Sequence, residues 1–295
     1  MPKMKKIFAL GFFDGVHLGH QALLKECCVL AGQMHASACA ITFQQHPQSL
    51  FVQEPPKLIN TNSDRQRLLR RYGIGPIYSY PVTREIMGMP WDDFLNELTD
   101  YDAVGFVCGS DFRFGNRGEG NAQKLEAFCK ERNLACRIIG DQMLDGLRIS
   151  STYIRTLLEA GEMEQAVRFL GHPHVLTGEV VSGRKLGRTL GIPTANLLIP
   201  EDVVQLRYGV YACMAKVAGE AWPAVTNVGN RPTVGGHRVT VEPWLLGFEG
   251  DLYGKELTLE FHKFLRPEKK FDSLEALKEA IRENAEQTRS FFTDK

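Results

Sequence analysis

Short apolar runs alternate with amphipathic segments through the first half of the chain. The apolar runs predict β-strands at residues 6–10, 36–42, 76–80, 103–108 and 135–139. Between them, apolar residues at helical spacing predict helices at 18–34, 63–72, 91–98 and 122–132. Strands that alternate with helices in this way are typical of a parallel sheet with helices on both faces. The first half is therefore predicted to be an α/β domain.

The pattern changes after the segment Gly171-His172-Pro173-His174. Beyond it, the apolar segments are short, β-rich and separated by Gly and Pro, which is typical of an antiparallel barrel or sandwich. We expect a first domain at residues 1–160, a linker at 161–174 that includes a helix near 163–170, and a second domain at 175–295.

A last amphipathic segment predicts a helix over residues 273–291. Its N-cap is expected to be Asp272 or Ser273. The apolar residues that form its expected buried stripe are Leu274, Leu277, Ile281 and Ala285.

Composition and charge exclude several classes of protein. The 295 residues include 43% hydrophobic and 24% charged residues and carry a formal net charge of +0, so no bulk field favours nucleic acid or a membrane surface. No segment reaches the roughly 18 apolar residues of a membrane span, and the first apolar run is too short for a signal peptide. The 7 cysteines are scattered without a CxxC motif, which is typical of the reducing cytoplasm. We therefore expect a cytoplasmic protein, a monomer or weak homo-oligomer, that binds neither nucleic acid nor membranes.

A glycine-rich stretch, GFFDGVHLGH at residues 11–20, lies between the first predicted strand and the first predicted helix. Glycines let the backbone approach a ligand, and a helix N-terminus offers unpaired N–H donors, so this position suits a phosphate. His17 and His20 add donors that can stabilise charge on a phosphoryl group. The stretch indicates a nucleotidyl-transfer site, with a metal site or a structured turn as alternatives.

Two more polar loops follow predicted strands, TFQQHP at residues 42–47 and GSDFRFG at 109–115. Ligands of parallel sheets bind beyond the carboxyl ends of the strands, so these loops could share one pocket with residues 11–20. Farther along, three hydroxyl residues, Ser150, Ser151 and Thr152, precede Arg155. Hydroxyls and a planar cation suit a triphosphate, although a plain helix N-cap explains the same residues.

The second half contains its own candidate site. Residues 183–188, GRKLGR, form a basic, glycine-bearing loop, and Thr194 and Asn196 follow with oxygens that suit Mg²⁺. A plain turn is the alternative. Glu242 lies in an apolar run, where it is either a solvent-facing carboxylate or a general base for a substrate hydroxyl. Pro243 lacks an N–H, which indicates that Glu242 lies at a strand end or on an edge strand.

Together these motifs resemble one family. GFFDGVHLGHQ, TFQQHP, GSDFRFG and RISSTYIR resemble the adenylyltransferase module of bacterial bifunctional FAD synthetases, and LGRTLGIPTAN, AVTNVGNRP, VEPWLLGFEGDLYGK and LRPEKKF resemble their riboflavin kinase module. The resemblance implies a Rossmann-like nucleotidyltransferase domain with a parallel sheet, followed by a six-stranded antiparallel kinase barrel with a terminal helix. It also implies two reactions: riboflavin and ATP give FMN and ADP, and then FMN and ATP give FAD and pyrophosphate.

The same resemblance implies roles in the first module. His17 and His20 would be catalytic, stabilising the transition state at the α-phosphorus of ATP while the FMN phosphate attacks. The other implied ATP-binding residues are Gly11, Phe12, Phe13, Asp14, Gly19, Ser150, Ser151, Thr152 and Arg155. The implied flavin-binding residues are Phe43, His46, Pro47, Asp111, Phe112 and Phe114, of which the last three lie near the nucleotide or the flavin.

In the kinase module, Glu242 would be the base that accepts the proton of the ribityl 5′-hydroxyl, and Thr194 and Asn196 would hold Mg²⁺. The implied ATP-binding residues are Gly183, Lys185, Gly187, Gly191, Thr194 and Asn196, and the implied flavin-binding residues are Arg266, Glu268 and Phe271. The alternatives are an adenylyltransferase with a kinase-silent flavin-binding barrel, another kind of nucleotidyltransferase, and a non-catalytic flavin- or nucleotide-binding regulator.

Overall fold

The computed structural model describes residues 4–181, 194–233 and 236–293. Its chain divides into two compact units. The first comprises Met1–Leu58 and Asn62–Ser151, and the second comprises Ile59–Thr61 and Thr152–Lys295. The domain limits expected from the sequence stay a prediction.

The first unit is built on a parallel sheet of five strands. These are β1 (Lys6–Leu10), β2 (Ser37–Phe43), β3 (Ile77–Tyr80), β4 (Ala103–Gly109) and β5 (Ala135–Ile139). Their order is β3-β2-β1-β4-β5, and every neighbouring pair is parallel. This confirms the predicted α/β fold class, and all the loops at the carboxyl ends of these strands emerge at one edge of the sheet.

Helices connect these strands and cover the sheet. They are α1 (Leu18–Gln33), α2 (Asn62–Arg71), α3 (Arg84–Met87), α4 (Trp91–Asp100) and α5 (Ala122–Glu131). Phe8 and Leu10 of β1 pack in one apolar cluster with leucines of α4 and α5, whereas Ile7 and Ala9 point to the opposite face and are also fully buried. Helix α3 was not predicted, because four residues are too few to display a helical period.

Helix α6 (Ser151–Ala160) starts at the last residue of the first unit, and its other residues belong to the second unit. The second unit continues with α7 (Met163–Leu170) and an antiparallel sheet of six strands. The short hairpin β6 (Met143–Leu144) and β7 (Leu147–Arg148) precedes these helices, in the first unit. The six strands are β8 (His174–Glu179), β9 (Leu197–Leu198), β10 (Gly209–Val217), β11 (Glu220–Thr233), β12 (Gly236–Leu245) and β13 (Glu256–Pro267), in the order β8-β13-β10-β11-β12-β9.

The two outer strands of this sheet approach each other. The N–H of Val181, just after β8, donates to the carbonyl of Asn196, just before β9, at 2.9 Å. The sheet is therefore nearly closed, and the predicted six-stranded antiparallel barrel is confirmed. Helix α8 (Leu274–Thr293) follows β13 and packs on β10 and β11, which confirms the terminal helix.

The buried face of α8 differs from the predicted stripe. Ser273 Oγ accepts a hydrogen bond from the first turn, so Ser273 is the N-cap. The prediction was wrong for Leu274, which is 49% exposed. The residues that α8 buries are Ala280, Asn284, Ala285 and Thr288. The two polar members are satisfied, because Asn284 Oδ1 accepts from Arg266 Nε at 3.0 Å and Thr288 donates to the Asn284 carbonyl; a search for apolar residues overlooks such a face.

A buried histidine should make the stability of the second unit depend on pH. Burial, and secondarily the charge of His172, lowers the pKa of His174 to about 3. In the unfolded chain this pKa is about 6.5, so between pH 6.5 and 3 only the unfolded state gains the proton. The stabilisation is complete above pH 6.5 and is lost as the pH falls towards 3, by about 1.4 kcal/mol per pH unit.

Urea unfolding at pH 7, 6 and 5 tests this expectation against the His174→Leu variant. Among the described residues, His174 Nδ1 is buried and has no hydrogen-bond partner. A leucine at this position therefore breaks no hydrogen bond of that nitrogen. The variant should show a shallower pH dependence of the unfolding free energy over this range. Equal slopes in the two proteins would contradict the lowered pKa.

Candidate active sites

The loop between β1 and α1 is wound tightly around its own side chains. A Cβ on Gly11 would approach the Phe13 ring within 2.9 Å, so the position favours glycine. Phe13 has a left-handed φ of 59°, and both its ring and the Asp14 carboxylate are buried. The side chains of Phe13 and Asp14 therefore pack inside the loop, and a ligand would contact the backbone of the loop instead. The ATP-binding role of these two residues stays a prediction.

His17 and His20 form a stacked pair at the start of α1. His17 is the N-cap residue, and its Nδ1 accepts the N–H of His20 at 3.3 Å. The ring centroids are 3.7 Å apart and the planes differ by 15°. Burial, and then the charges of His17 and Arg65, lowers the pKa of His20 well below its usual value. His20 is therefore neutral near pH 7, with one ring nitrogen as donor and the other as acceptor.

The histidine pair lines a pocket of about 220 Å³ in the first unit. The complete lining is His17, Gly19, His20, Leu23, Gly109, Asp111, Ile139, Gly140, Asp141, Gln142, Arg148, Ile149, Ser150 and Ser151. The pocket thus unites the loops after β1, β4 and β5 with the serines at the start of α6. The predicted site residues that it brings together are His17, Gly19, His20, Asp111, Ser150 and Ser151.

Ser151 ties two of these segments together. Its hydroxyl donates to the Asp14 carbonyl at 2.9 Å, which fastens the start of α6 to the loop that carries the histidines. Thr152 and Arg155 belong to the second unit, and their predicted contribution to pyrophosphate binding stays a prediction.

Arg148 lines the pocket but was not among the predicted site residues. Its guanidinium pairs with the carboxylate of Asp111 and, at 2.9 Å, with that of Asp141. The hydrogen bond to Asp111 raises the pKa of Arg148 further, so the cation is permanent. The sequence feature that could have identified Arg148 as a site residue is its position two residues before Ser150. Asp141 and Gln142 were missed as well, because nothing in the sequence pairs the loop after β5 with this pocket.

Four of the six residues predicted for the flavin lie in two aromatic groups, whereas Asp111 lines the histidine pocket and Phe43 is the last residue of β2. At the end of β2, the His46 ring meets the Phe12 ring edge to face at 5.2 Å. Pro47 starts the next turn, and His46 caps that turn by accepting the N–H of Gln48. After β4, Phe112 stacks on the buried Phe114 with centroids 5.6 Å apart. Whether these groups bind flavin stays a prediction.

In the second unit, the Thr194–Asn196 segment lies beside the end of β12. The pairing of β9 with β12 ends at Val241, and beyond it the N–H of Ala195 donates to the carbonyl of Pro243 at 2.9 Å. Glu242 is therefore the residue that follows the last ladder pair between β12 and β9. It lies inside β12, which is flanked by β11 and β9, so the strand end or edge strand expected from Pro243 is not found. The other predicted ATP-binding residues of this module, Gly183, Lys185, Gly187 and Gly191, lie outside the described residues.

A row of directly paired residues runs across four strands of the barrel from Arg266 to Glu242. Arg266 pairs with Val210, Val210 with Asn227, and Asn227 with Glu242. Directly paired residues of antiparallel strands share one face, so Asn227 and Glu242 are side by side, about 5 Å apart. Asn227 was not predicted as a site residue, although it lies in the motif AVTNVGNRP.

The other two residues predicted for the kinase flavin site lie near Arg266. The guanidinium carbon of Arg266 is 5.5 Å from the Phe271 ring centroid. Burial lowers the pKa of Arg266. The Glu268 carboxylate occupies the place that a side chain at Gly229 would take, so it lies against β11 near Asn227.

Both halves of the chain match family models. Residues 2–153 match FAD synthetase, and residues 170–292 match riboflavin kinase. A bifunctional riboflavin kinase/FMN adenylyltransferase of Listeria monocytogenes is 33% identical over 293 residues, which cover 98% of this chain and 93% of the relative. The chain belongs to the bifunctional riboflavin kinase/FMN adenylyltransferase family.

Other relatives agree along the whole length. The riboflavin kinase/FMN adenylyltransferase of Escherichia coli K12 is 33% identical over 295 residues, covering 99% of this chain and 94% of the relative. A solved structure from Streptococcus pneumoniae, described as a macrolide-efflux protein, superimposes with a TM-score of 0.87 at 27% identity over 98% of this chain and 95% of that one. Among the described helices, none is long and apolar enough to cross a membrane.

The two family regions separate the two candidate sites. The pocket with His17 and His20 lies within the FAD synthetase region, and Thr194, Asn196 and Glu242 lie within the riboflavin kinase region. Each region therefore has its own set of polar side chains.

Proposed function

We propose that this chain phosphorylates riboflavin with ATP and then adenylylates the resulting FMN to FAD. The observation that carries the proposal is that each of the two family regions contains a polar site of the matching chemistry. The substrates are small molecules, and we expect the protein to act in the cytoplasm as a monomer or weak homo-oligomer.

Adenylyl transfer needs charge stabilisation more than a protein nucleophile. An oxygen of the FMN phosphate, already an anion, attacks the α-phosphorus of ATP while the bond to the leaving pyrophosphate breaks. The pocket supplies donors for this change: the His17–His20 pair, the Arg148 guanidinium and the Ser150 hydroxyl. The Ser151 hydroxyl already donates to the Asp14 carbonyl, so it holds the loop in place. Such pre-positioned donors stabilise the charge that develops in the transition state.

Phosphorylation of riboflavin needs an acceptor for the hydroxyl proton. The 5′-hydroxyl oxygen bonds to the γ-phosphorus of ATP, ADP leaves, and the Glu242 carboxylate accepts the proton. Thr194 and Asn196 offer the hard oxygen ligands that Mg²⁺ prefers, and Asn196 is buried next to the Ala195–Pro243 hydrogen bond. When bound, Mg²⁺ would neutralise phosphate charge. The adjacency of Glu242 to residues 194–196 supports an active kinase over a kinase-silent barrel.

Incubation of the purified protein with riboflavin, ATP and Mg²⁺ tests the proposal. Chromatography should show FMN first and FAD later, with pyrophosphate released only in the second step. Conversion of supplied FMN to FAD without phosphorylation of riboflavin would favour the kinase-silent alternative. Absence of both conversions under conditions where a relative is active would favour the non-catalytic regulator.

A further inference from the structure

Arg65 of helix α2 is a fully buried cation to which the proposed reaction so far assigns no role. Its relative exposure is 0%. Arginine is almost never buried completely unless its charge and its donors are compensated. The groups around Arg65 therefore indicate what it holds in place.

The guanidinium fastens the end of β2. Arg65 Nη2 donates to the carbonyl of Phe43, to that of Gln44 at 3.4 Å and to Asn62 Oδ1 at 3.0 Å. The β2 end leads directly into His46, so Arg65 fixes the stem of the loop that carries this ring.

The same guanidinium lies over the Phe12 ring. Its central carbon is 4.4 Å from the ring centroid, a cation–π distance. Phe12 in turn meets His46 edge to face, and its carbonyl accepts the Thr42 hydroxyl at 2.8 Å. Phe12 and His46 together form an aromatic corner, here called the Phe12–His46 corner. Arg65 contacts the loop after β1 through the Phe12 ring and the end of β2 through the backbone carbonyls of residues 43 and 44.

This corner differs from the phosphate-binding part of the site. Among the described residues that line the histidine pocket, neither Phe12 nor His46 occurs. Aromatic side chains such as Phe12 and His46 suit a flat ring system better than a polyphosphate. Of the two ring systems in the proposed substrates, the isoalloxazine of FMN is larger than the adenine of ATP.

We infer that Arg65 is a positioning residue for FMN in the adenylyl-transfer reaction, holding the Phe12–His46 corner against the flavin ring. The inference rests on the proposed function. The planar guanidinium can stack on Phe12 and donate to carbonyls at the same time, whereas an ammonium group offers a point charge without that geometry.

Steady-state kinetics of the Arg65→Met variant test the inference. With FMN and ATP as substrates, the KM for FMN should rise between about tenfold and a hundredfold, the scale of a small misplacement of a binding group. The KM for ATP and the rate of riboflavin phosphorylation should stay unchanged. The matched control is Arg70→Met, since Arg70 is an exposed arginine of the same helix whose side chain bonds only to Gln66 in the described hydrogen bonds. This variant should leave all three quantities unchanged.

Two further variants keep the inference open to refutation. Arg65→Lys should give an intermediate KM for FMN, and if Arg65→Met does not fold, an unchanged KM in the lysine variant would overturn the inference. In a double-mutant cycle, Phe12→Leu and Arg65→Met should be non-additive in the KM for FMN. An equal loss for FMN, ATP and riboflavin would show a merely structural role. Failure of the unaltered protein to convert FMN would instead refute the proposed function.

Discussion

The His17→Ala variant should convert FMN to FAD at least about a hundredfold more slowly than the unaltered protein, the usual scale for removal of an anion-stabilising donor. Riboflavin phosphorylation should continue at its original rate. His17 both lines the pocket and caps α1, so its loss removes a donor and releases the stacked His20 ring. The measurement is the rate of FAD formation from supplied FMN, with FMN formation from riboflavin measured separately.

The capping role of His17 has to be separated from its chemistry. Loss of an N-cap costs about 1 kcal/mol of stability, which thermal unfolding would detect. His17→Asn retains a good N-cap, so it should keep the stability and still lose FAD formation. The matched control is His35→Asn, an exposed histidine just beyond the other end of α1 in a left-handed conformation that asparagine tolerates. Undiminished FAD formation in folded His17→Ala would remove this residue from the proposed mechanism.

The elements of the first unit could be predicted closely because their signals are local. The strands Lys6–Leu10 and Ala135–Ile139 have the predicted bounds, since each is an apolar run between turn residues. Helix α1 also begins at the predicted residue, Leu18. The sequence even indicates which edge of the sheet carries the site, because loops that follow parallel strands emerge together.

Contacts between distant residues could not be predicted in this way. Arg148 pairs with Asp111 across 37 positions of the chain, and only the neighbouring positions of β4 and β5 bring their loops together. The burial of Arg65 is equally hidden, because its helix carries three other arginines and its own charge masks that it shares a face with Leu68 and Leu69. A charged residue is expected at the surface by default.

The second candidate site illustrates the same limit. From the sequence, Thr194 and Asn196 were as well explained by a turn, and Glu242 by a solvent-facing carboxylate. The hydrogen bond from Ala195 to Pro243 is the long-range contact that decides their proximity. The pattern of residues within either segment could not indicate this hydrogen bond, because the pairing of antiparallel strands depends on the packing of the whole barrel.

The Glu242→Gln variant should phosphorylate riboflavin at least about a hundredfold more slowly, while it converts supplied FMN to FAD at the original rate. Glutamine has nearly the same shape and keeps a carbonyl acceptor, but it cannot take up the hydroxyl proton. Riboflavin binding should therefore persist, and the loss should fall on kcat rather than on KM. Flavin products separated by chromatography measure both reactions in one preparation.

The control for this change is Glu249→Gln, which neutralises an exposed carboxylate in the loop after β12 and should leave both rates unchanged.

An Asn227→Ala variant tests the same site through a second residue. Asn227 is paired directly with Glu242, so its loss should impair the kinase reaction alone. If folded Glu242→Gln retained full kinase activity, another group would have to accept the proton. If His17→Ala and Glu242→Gln each lost both reactions, the two activities could not reside in separate sites, and the division into an adenylyltransferase pocket and a kinase barrel would be wrong.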